Sequence, residues 1–293
     1  MPDQLRSSFN LAEVNSAIAG TEFHGWLMNF PTVPSTNSLA LEAAHAGARH
    51  GVWIADEQTA GRGRGTHTWH SPAGIEDAPA GLYMTALVSP PIPMQSALRL
   101  SFTTAIAVQS AISSVFGFER PDEIDIRWPN DLLLNRKKCG GILIETAAPP
   151  APASGPAMLH YAVIGIGINL NQLAFPPELD AIATSIRREL PGSSHPPRRE
   201  PLAAAILIAL DEEIRLMIRS WRGTNNRRDR DLTQFSTWLT GKRVRVEARD
   251  PAPPDPAPSY TGTTVGLDRN GFLLVKDDAG ATRTVLSGGL RES

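Results

Sequence analysis

At 293 residues, 41% hydrophobic and 20% charged, the chain is long enough for one large domain plus a small one, or two medium domains. A net charge of −2 gives no global pull toward nucleic acid or membrane. One cysteine, Cys139, excludes an internal disulfide and a multi-cysteine metal site; with no signal core and no apolar run of about 18 residues, the expectation is a cytoplasmic protein without a membrane anchor.

Taken in order, residues 10–18 read as a short helix capped by Asn10, with Glu13 at capping-box spacing and Leu11, Val14 and Ile18 on one face. Residues 23–30 read as a strand ending at Pro31. Ser35 is a natural N-cap for a helix over 39–46 that stops at Gly47. Capping alone explains Ser35, Thr36 and Asn37, but such a polar helix start also suits the polar edge of a ligand. Residues 51–56 and 81–88 read as strands, with 75–80 a surface insertion. A long helix over 97–116, capped by Ser96 and ended by Gly117, buries Leu98, Phe102, Ile106, Ile112 and Val115. A short strand at 125–128 breaks at Pro129. Residues 132–134 and 139–146 then form a hairpin around a basic turn, 135–138. A Pro/Ala loop, 147–156, is expected to be exposed and mobile. The strand 161–170 carries Gly165 and Gly167, which suggest a close approach to its backbone. Helical spacing returns over 201–221, followed by a polar connector and a short closing helix at 232–239. From Gly241 the texture changes to short alternating strands with a Pro-rich tip at 250–259, the pattern of a small β-barrel.

The stretch 55–69 holds the densest chemistry. Gly61, Gly63 and Gly65 alternate with Arg62 and Arg64 between a strand and Trp69. Alternating glycine permits close backbone approach, and the backbone N–H groups with two guanidiniums make an anion site. By itself such a loop reads first as a flexible surface loop with solvated arginines; its neighbours decide otherwise. Other motifs are excluded: there is no P-loop lysine motif, no nucleophile elbow, and Gly165-Ile166-Gly167 lacks the third glycine of a dinucleotide turn. His67 and His70 have no third metal ligand nearby. What remains is a set of positive groups and backbone donors with one well-placed acid, Asp131. That set suits chemistry in which charge builds on carboxylate and phosphate oxygens.

Four ordered stretches carry a family resemblance. Gln58-Thr59-Ala60-Gly61-Arg62-Gly63-Arg64-Gly65, Arg127-Trp128-Pro129-Asn130-Asp131, Lys138-Cys139-Gly140-Gly141-Ile142-Leu143-Ile144-Glu145 and Gly165-Ile166-Gly167-Ile168-Asn169 resemble the motif set of biotin protein ligases. The likeness is strong over residues 32–190 and weaker over the terminal β-rich segment.

The resemblance implies an α/β (α+β) fold: a mixed-sheet catalytic domain related to class II aminoacyl-tRNA synthetases over 1–239, plus a small C-terminal β-barrel over 240–293. It implies that biotin is activated by ATP, with Mg²⁺, as biotinyl-adenylate and passed to a lysine of a carboxylase's biotin carboxyl carrier domain. On matching positions, Ser35, Thr36, Asn37 and Gln58 would hold the ureido ring. Arg62, Gly63 and Arg64 would close over the intermediate, and Gly141 and Gly165 would line the biotin site. Lys138 would contact carboxylate and α-phosphate, Trp69 would stack on adenine, and Asn130 and Asn169 would bind ATP. Asp131 would steer or deprotonate the incoming lysine, so Arg64, Lys138 and Asp131 form the catalytic set. The resemblance supplies no metal ligands and allows a homodimer.

Arg127 and Trp128 also read as plain strand and core residues, and Glu145 is read as structural. His67 stands where many members carry a further basic residue. About 30 residues precede Ser35, too few for a helix-turn-helix, so no DNA binding is expected. A lipoate or octanoate ligase or transferase of the same superfamily is the nearest alternative, and an RNA-binding protein a more distant one.

Overall fold

Two-faced strands with short connections govern the larger part of the chain. The computed structural model describes residues 9–75, 78–118, 123–148, 155–190, 195–223, 231–247, 259–285 and 289–292. In order the elements are α1 (Leu11–Ala17), β1 (Leu27–Val33), α2 (Thr36–His45), β2 (Gly51–Gln58), β3 (Gly74–Ile75), β4 (Ala78–Pro79), β5 (Gly81–Val88), α3 (Ala97–Phe116), β6 (Ile124–Arg127), β7 (Asp131–Leu134) and β8 (Lys137–Ala147). They continue with β9 (Tyr161–Asn169), α4 (Pro177–Asp180), α5 (Ile186–Glu189), α6 (Arg199–Trp221), β10 (Arg243–Val246), β11 (Tyr260–Leu267), β12 (Leu273–Asp277), β13 (Thr282–Val285) and β14 (Leu290–Glu292).

Seven strands form one mixed sheet in the order β1-β2-β5-β9-β8-β7-β6, with β1 and β2 parallel and the remaining neighbours antiparallel. Period-two alternation splits its residues between two faces. Ile164, Ile166 and Ile168 of β9, Ile142 of β8 and Leu132 of β7 are buried in the main core, where α3 and α6 pack on each other and on the sheet. Each such side chain removed from water contributes about 1.5–3 kcal/mol. On the opposite face α2 covers only one end, setting Ala40 and Ala44 on Trp53, Leu87, Tyr161 and Val163. The rest of that face, lined by glycines, is where the site lies.

Several sequence expectations shift. The first strand spans Leu27–Val33 and runs through Pro31, which a sheet edge tolerates because an edge residue owes no ladder N–H. The predicted closing helix at 232–239 is only a 3-10 turn, Leu232–Gln234. Tertiary contacts override the helical spacing there: Phe235 meets Phe102 edge-on at 6.2 Å, and the Trp238 amide bonds the Ile126 carbonyl. The 75–80 insertion is the two-stranded ladder β3–β4, apart from residues 76–77. In the β7–β8 hairpin both turn residues, Asn135 and Arg136, have positive φ (47° and 70°), the twist that two-residue hairpins favour.

At the C-terminus five strands make an antiparallel sheet in the order β13-β12-β11-β10-β14. Its last strand, β14, went unpredicted. The Leu98 side chain, most of the Pro/Ala loop, the 224–230 part of the connector and the Pro-rich tip up to residue 258 lie outside the described residues. Among the described residues no helix is long and apolar enough to cross a membrane.

Candidate active site

Antiparallel register aligns two rows of residues across the open face of the sheet. One row runs Thr85–Gly165–Leu143, the other Tyr83–Gly167–Gly141–Asp131. Each row passes through glycine where something else occupies the space above it.

Above the first row stands the start of α2. Ser35 sits at the N-cap position, 3% exposed, but its hydroxyl makes no capping bond. The cap comes from Gln58: its Oε1 accepts from the Thr36 amide at 2.9 Å and from the Thr36 hydroxyl at 3.2 Å, while its Nε2 donates to Ser71 Oγ at 2.9 Å. Asn37 Oδ1 lies 2.6 Å from Thr85 Oγ1, and Asn37 Nδ2 donates to Glu145 Oε2 at 3.0 Å. A Cβ on Gly165 would collide with Asn37 Oδ1, so the amide reaches the sheet only because residue 165 is glycine. The consecutive, buried Ser35, Thr36 and Asn37 and the half-buried Gln58, distant in sequence, form one polar wall.

Trp69 stands above the second row. A Cβ on Gly167 would lie 2.6 Å from its Nε1, and one on Gly141 would lie 3.2 Å from its Cζ3. The indole therefore rests on bare backbone. Its Nε1 is buried and has no hydrogen-bond partner among the described residues, an unusual state for a buried donor. The row ends at an ion pair: Lys138 Nζ is 2.7 Å from Asp131 Oδ1 and 5.5 Å from the centroid of the Trp69 ring. Both groups are partly exposed.

The Gly-Arg stretch is a hairpin rather than an unpaired loop. Gln58 pairs with Ser71 and Arg62 with Thr68, and the Trp69 amide bonds the Gly61 carbonyl at 2.9 Å. Its tip is closed by the Gly63 amide on the His67 carbonyl at 2.7 Å, with Gly65 at φ 64°. Backbone bonds from Thr59 to Val33 and from Ala60 to Pro34 anchor the base beside α2. Arg62 folds back onto the sheet in a bidentate pair with Glu145, at 3.0 and 2.6 Å. Arg64 and His67 are exposed at the tip; the Arg64 carbonyl accepts from the His67 amide at 3.3 Å, while the Arg64 side chain makes no hydrogen bond or ion pair with a described residue. Arg62 and Lys138 thus stand over the floor on their carboxylate partners Glu145 and Asp131, and Arg64 at the hairpin tip adds an unpaired positive charge nearby in sequence, a balance that favours an anionic ligand.

Two expected ATP ligands are already hydrogen-bonded within the protein. Asn130 spends its Nδ2 on the Ile142 carbonyl at 2.8 Å and takes the Ile142 amide on its own carbonyl, bracing the turn against β8. Asn169 faces the same side as Gly165 and Gly167 but is 5% exposed. Its Nδ2 donates to the Thr184 carbonyl at 3.0 Å, and its Oδ1 accepts from Gln172 Nε2 at 3.2 Å. Segment 182–185, held by reciprocal backbone bonds between Lys138 and both Ile182 and Thr184, covers it. Conversely, Glu145 belongs to the site. Its place at the end of the Lys138–Glu145 stretch, alternating with Gly141 and Leu143, was the available signal. Thr85 carried none.

The comparisons with known proteins agree with this geometry. Residues 30–169 match the biotin/lipoate A/B protein ligase family, and 240–288 match the biotin protein ligase C-terminal domain. The chain is 39% identical over 163 residues to the bifunctional ligase/repressor BirA of Bacillus subtilis, covering 55% of this chain and about half of that relative's length (46%). With the biotin–[acetyl-CoA-carboxylase] ligase of Mycobacterium tuberculosis it shares 31% identity over 257 residues, 87% of this chain and 84% of the relative. The Aquifex aeolicus biotin protein ligase solved with biotin and ATP has the same fold, with a TM-score of 0.66 at 23% identity over 92% of this chain and all of that one. Both domain matches and the near full-length relative lead to one conclusion: the chain belongs to the biotin protein ligases of the biotin/lipoate A/B protein ligase family.

Proposed function

We propose that this chain activates biotin with ATP as biotinyl-adenylate and transfers the biotinyl group to one lysine of a biotin carboxyl carrier domain. Residues 1–239 would form the catalytic unit and 240–293 the small C-terminal one. The observation that carries the reading is the convergence of two glycine-floored rows, one under the polar start of α2 and one under Trp69, beside the Lys138 cation. An acid lying along the first row would present its carboxylate to a nucleotide on the second.

In the first half-reaction the biotin carboxylate attacks the α-phosphorus of ATP and pyrophosphate leaves. Charge moves between oxygens that Lys138 can reach together, so a preorganised cation there stabilises the transition state more than either ground state. The wall of Ser35, Thr36, Asn37 and Gln58 holds the ureido ring. Gly165 and Gly141 let Asn37 and Trp69 settle against the sheet at the edges of the biotin site, and the open face of Trp69 takes adenine. The hairpin of Arg62, Gly63 and Arg64 lies over the reacting atoms, with Arg64 turned to oxygen. Asn130 and Asn169 brace the backbone that carries Asp131 and Lys138.

In the second half-reaction the acceptor ε-amine attacks the acyl carbon and AMP leaves. Once Lys138 turns from Asp131 to the bound oxygens, Asp131 is released to accept the amine proton. Among the described residues no three His, Cys, Asp or Glu side chains group to hold a metal ion. Mg²⁺ accompanying ATP would be held chiefly by phosphates and water.

The test is exchange of labelled pyrophosphate into ATP with biotin, with lipoate, and with neither. Biotin-dependent exchange is expected. Exchange with lipoate alone replaces the substrate, and no exchange with either acid overturns the reading.

A further inference from the structure

One carboxylate oxygen in the site serves two masters. Glu145 Oε2 accepts from Arg62 Nη2 at 2.6 Å and from Asn37 Nδ2 at 3.0 Å, while Oε1 accepts from Arg62 Nη1 at 3.0 Å. Arg62 belongs to the hairpin and Asn37 to the polar wall under α2. Glu145 is fixed on β8, directly opposite Val163 of β9, in the middle of the rigid sheet. The hairpin base is tied by backbone bonds at Thr59, Ala60 and Trp69. Among the described residues, the side-chain hydrogen bonds that tie the hairpin to the sheet beyond its base are those of Arg62 on Glu145, and the tip residues Arg64, Gly65, Thr66 and His67 are exposed.

We propose that Glu145 is a positioning residue that latches the Gly-Arg hairpin over the acyl-adenylate and so governs how long the enzyme retains it. The proposal rests on the ligase reading above. Bidentate guanidinium–carboxylate geometry fixes orientation as well as distance. Its partly exposed setting keeps the latch weak enough to open for the acceptor: the side chains of Arg62 and Glu145 are 39% and 27% exposed. Sharing Oε2 with Asn37 couples the latch to the wall, so an acid seated against Asn37 also bears on the hairpin. Opening leaves the mixed anhydride exposed to water and to bystander amines. The latch therefore acts on the fate of the intermediate, not on its chemistry.

The test measures a partition ratio: biotinyl-adenylate released to solution per adenylate formed, in a single turnover with labelled ATP and biotin. Glu145→Gln keeps size and one acceptor but loses the charge; Arg62→Met is a second variant at an exposed position. Each should raise the released fraction about two- to fivefold, the weight of one partly exposed ion pair. Each should also increase biotin attachment to lysines of an added bystander protein. The double variant should release no more than either single one, because both remove the same link.

Loss of structure alone would lower formation without moving the ratio. If the wild-type chain forms no adenylate from biotin and ATP, the ligase reading fails. If it forms and retains adenylate but both single variants retain it equally well, the latch is refuted. Multiplicative effects in the double variant would refute it too.

Discussion

The Trp128 indole Nε1 donates to the Gly271 carbonyl oxygen at 2.8 Å, tying the turn that precedes Asp131 to the C-terminal sheet. Trp128 is 5% exposed, and Gly271 sits at positive φ against Leu232 and Phe102. Replacement by phenylalanine keeps the ring in the core but strands a buried acceptor, at a cost of about 1–3 kcal/mol. Trp128→Phe should therefore unfold at lower temperature and denaturant concentration than wild type. It should also form pyrophosphate more slowly, since the turn carries the Asp131–Lys138 pair. An unchanged unfolding midpoint would show that this link contributes nothing.

Lys138 concentrates the positive charge beside Gly141 and Asp131. Lys138→Ala should lower biotin-dependent pyrophosphate release by about 10²–10³, the range for loss of one preorganised donor. Release at near-native rate in that variant would remove Lys138 from the adenylation step.

The two glycine floors should fail differently. Gly165→Ala places a methyl against Asn37 Oδ1, whereas Gly167→Ala places one 2.6 Å from Trp69 Nε1. The first should raise KM for biotin about tenfold or more with a smaller effect on ATP, and the second the reverse, each tenfold step being about 1.4 kcal/mol of lost binding. Steady-state titration of each substrate separates the cases. Identical effects on both substrates would contradict two adjoining subsites.

Acid should loosen the C-terminal sheet through Asp277. The Arg283 side chain at 2.6 Å and the Ala281 amide at 2.8 Å hold its carboxyl below the ordinary value. A depressed folded value means the unfolded chain takes the proton more readily. The stabilisation is therefore complete above the unfolded value of about 3.9 and is lost as pH falls through the folded value. The stability gap between wild type and Asp277→Asn should shrink from about pH 6 to about pH 3. A gap independent of pH across that range would exclude Asp277 as a contributor.

Much of the site was legible because backbone demands single out residue types. Gly165 and Gly167 inside an apolar strand announced a close approach, and the partners proved to be Asn37 and Trp69. Ser35, Thr36 and Asn37 announced a polar helix start. Sequence could not say that Gln58, 22 residues after Thr36, supplies the cap, because that pairing exists only once β2 lies beside α2. Glu145 read as structural for the same reason: its partners, Asn37 and Arg62, are 108 and 83 residues away. Asn130 and Asn169 donate to the Ile142 and Thr184 carbonyls, 12 and 15 residues away, and no local signal in the sequence marks those partners. The closing segment at 232–239 had helical spacing, and packing of Phe235 and Trp238 overruled it.

The most direct measurement of the central claim follows labelled biotin onto a purified biotin carboxyl carrier domain. With ATP present the wild-type chain should attach label to a single carrier lysine, and Lys138→Ala should do so at least about 10²-fold more slowly. Omission of ATP should abolish attachment. Failure of the wild-type chain to label the carrier, or labelling that does not need ATP, would contradict the account.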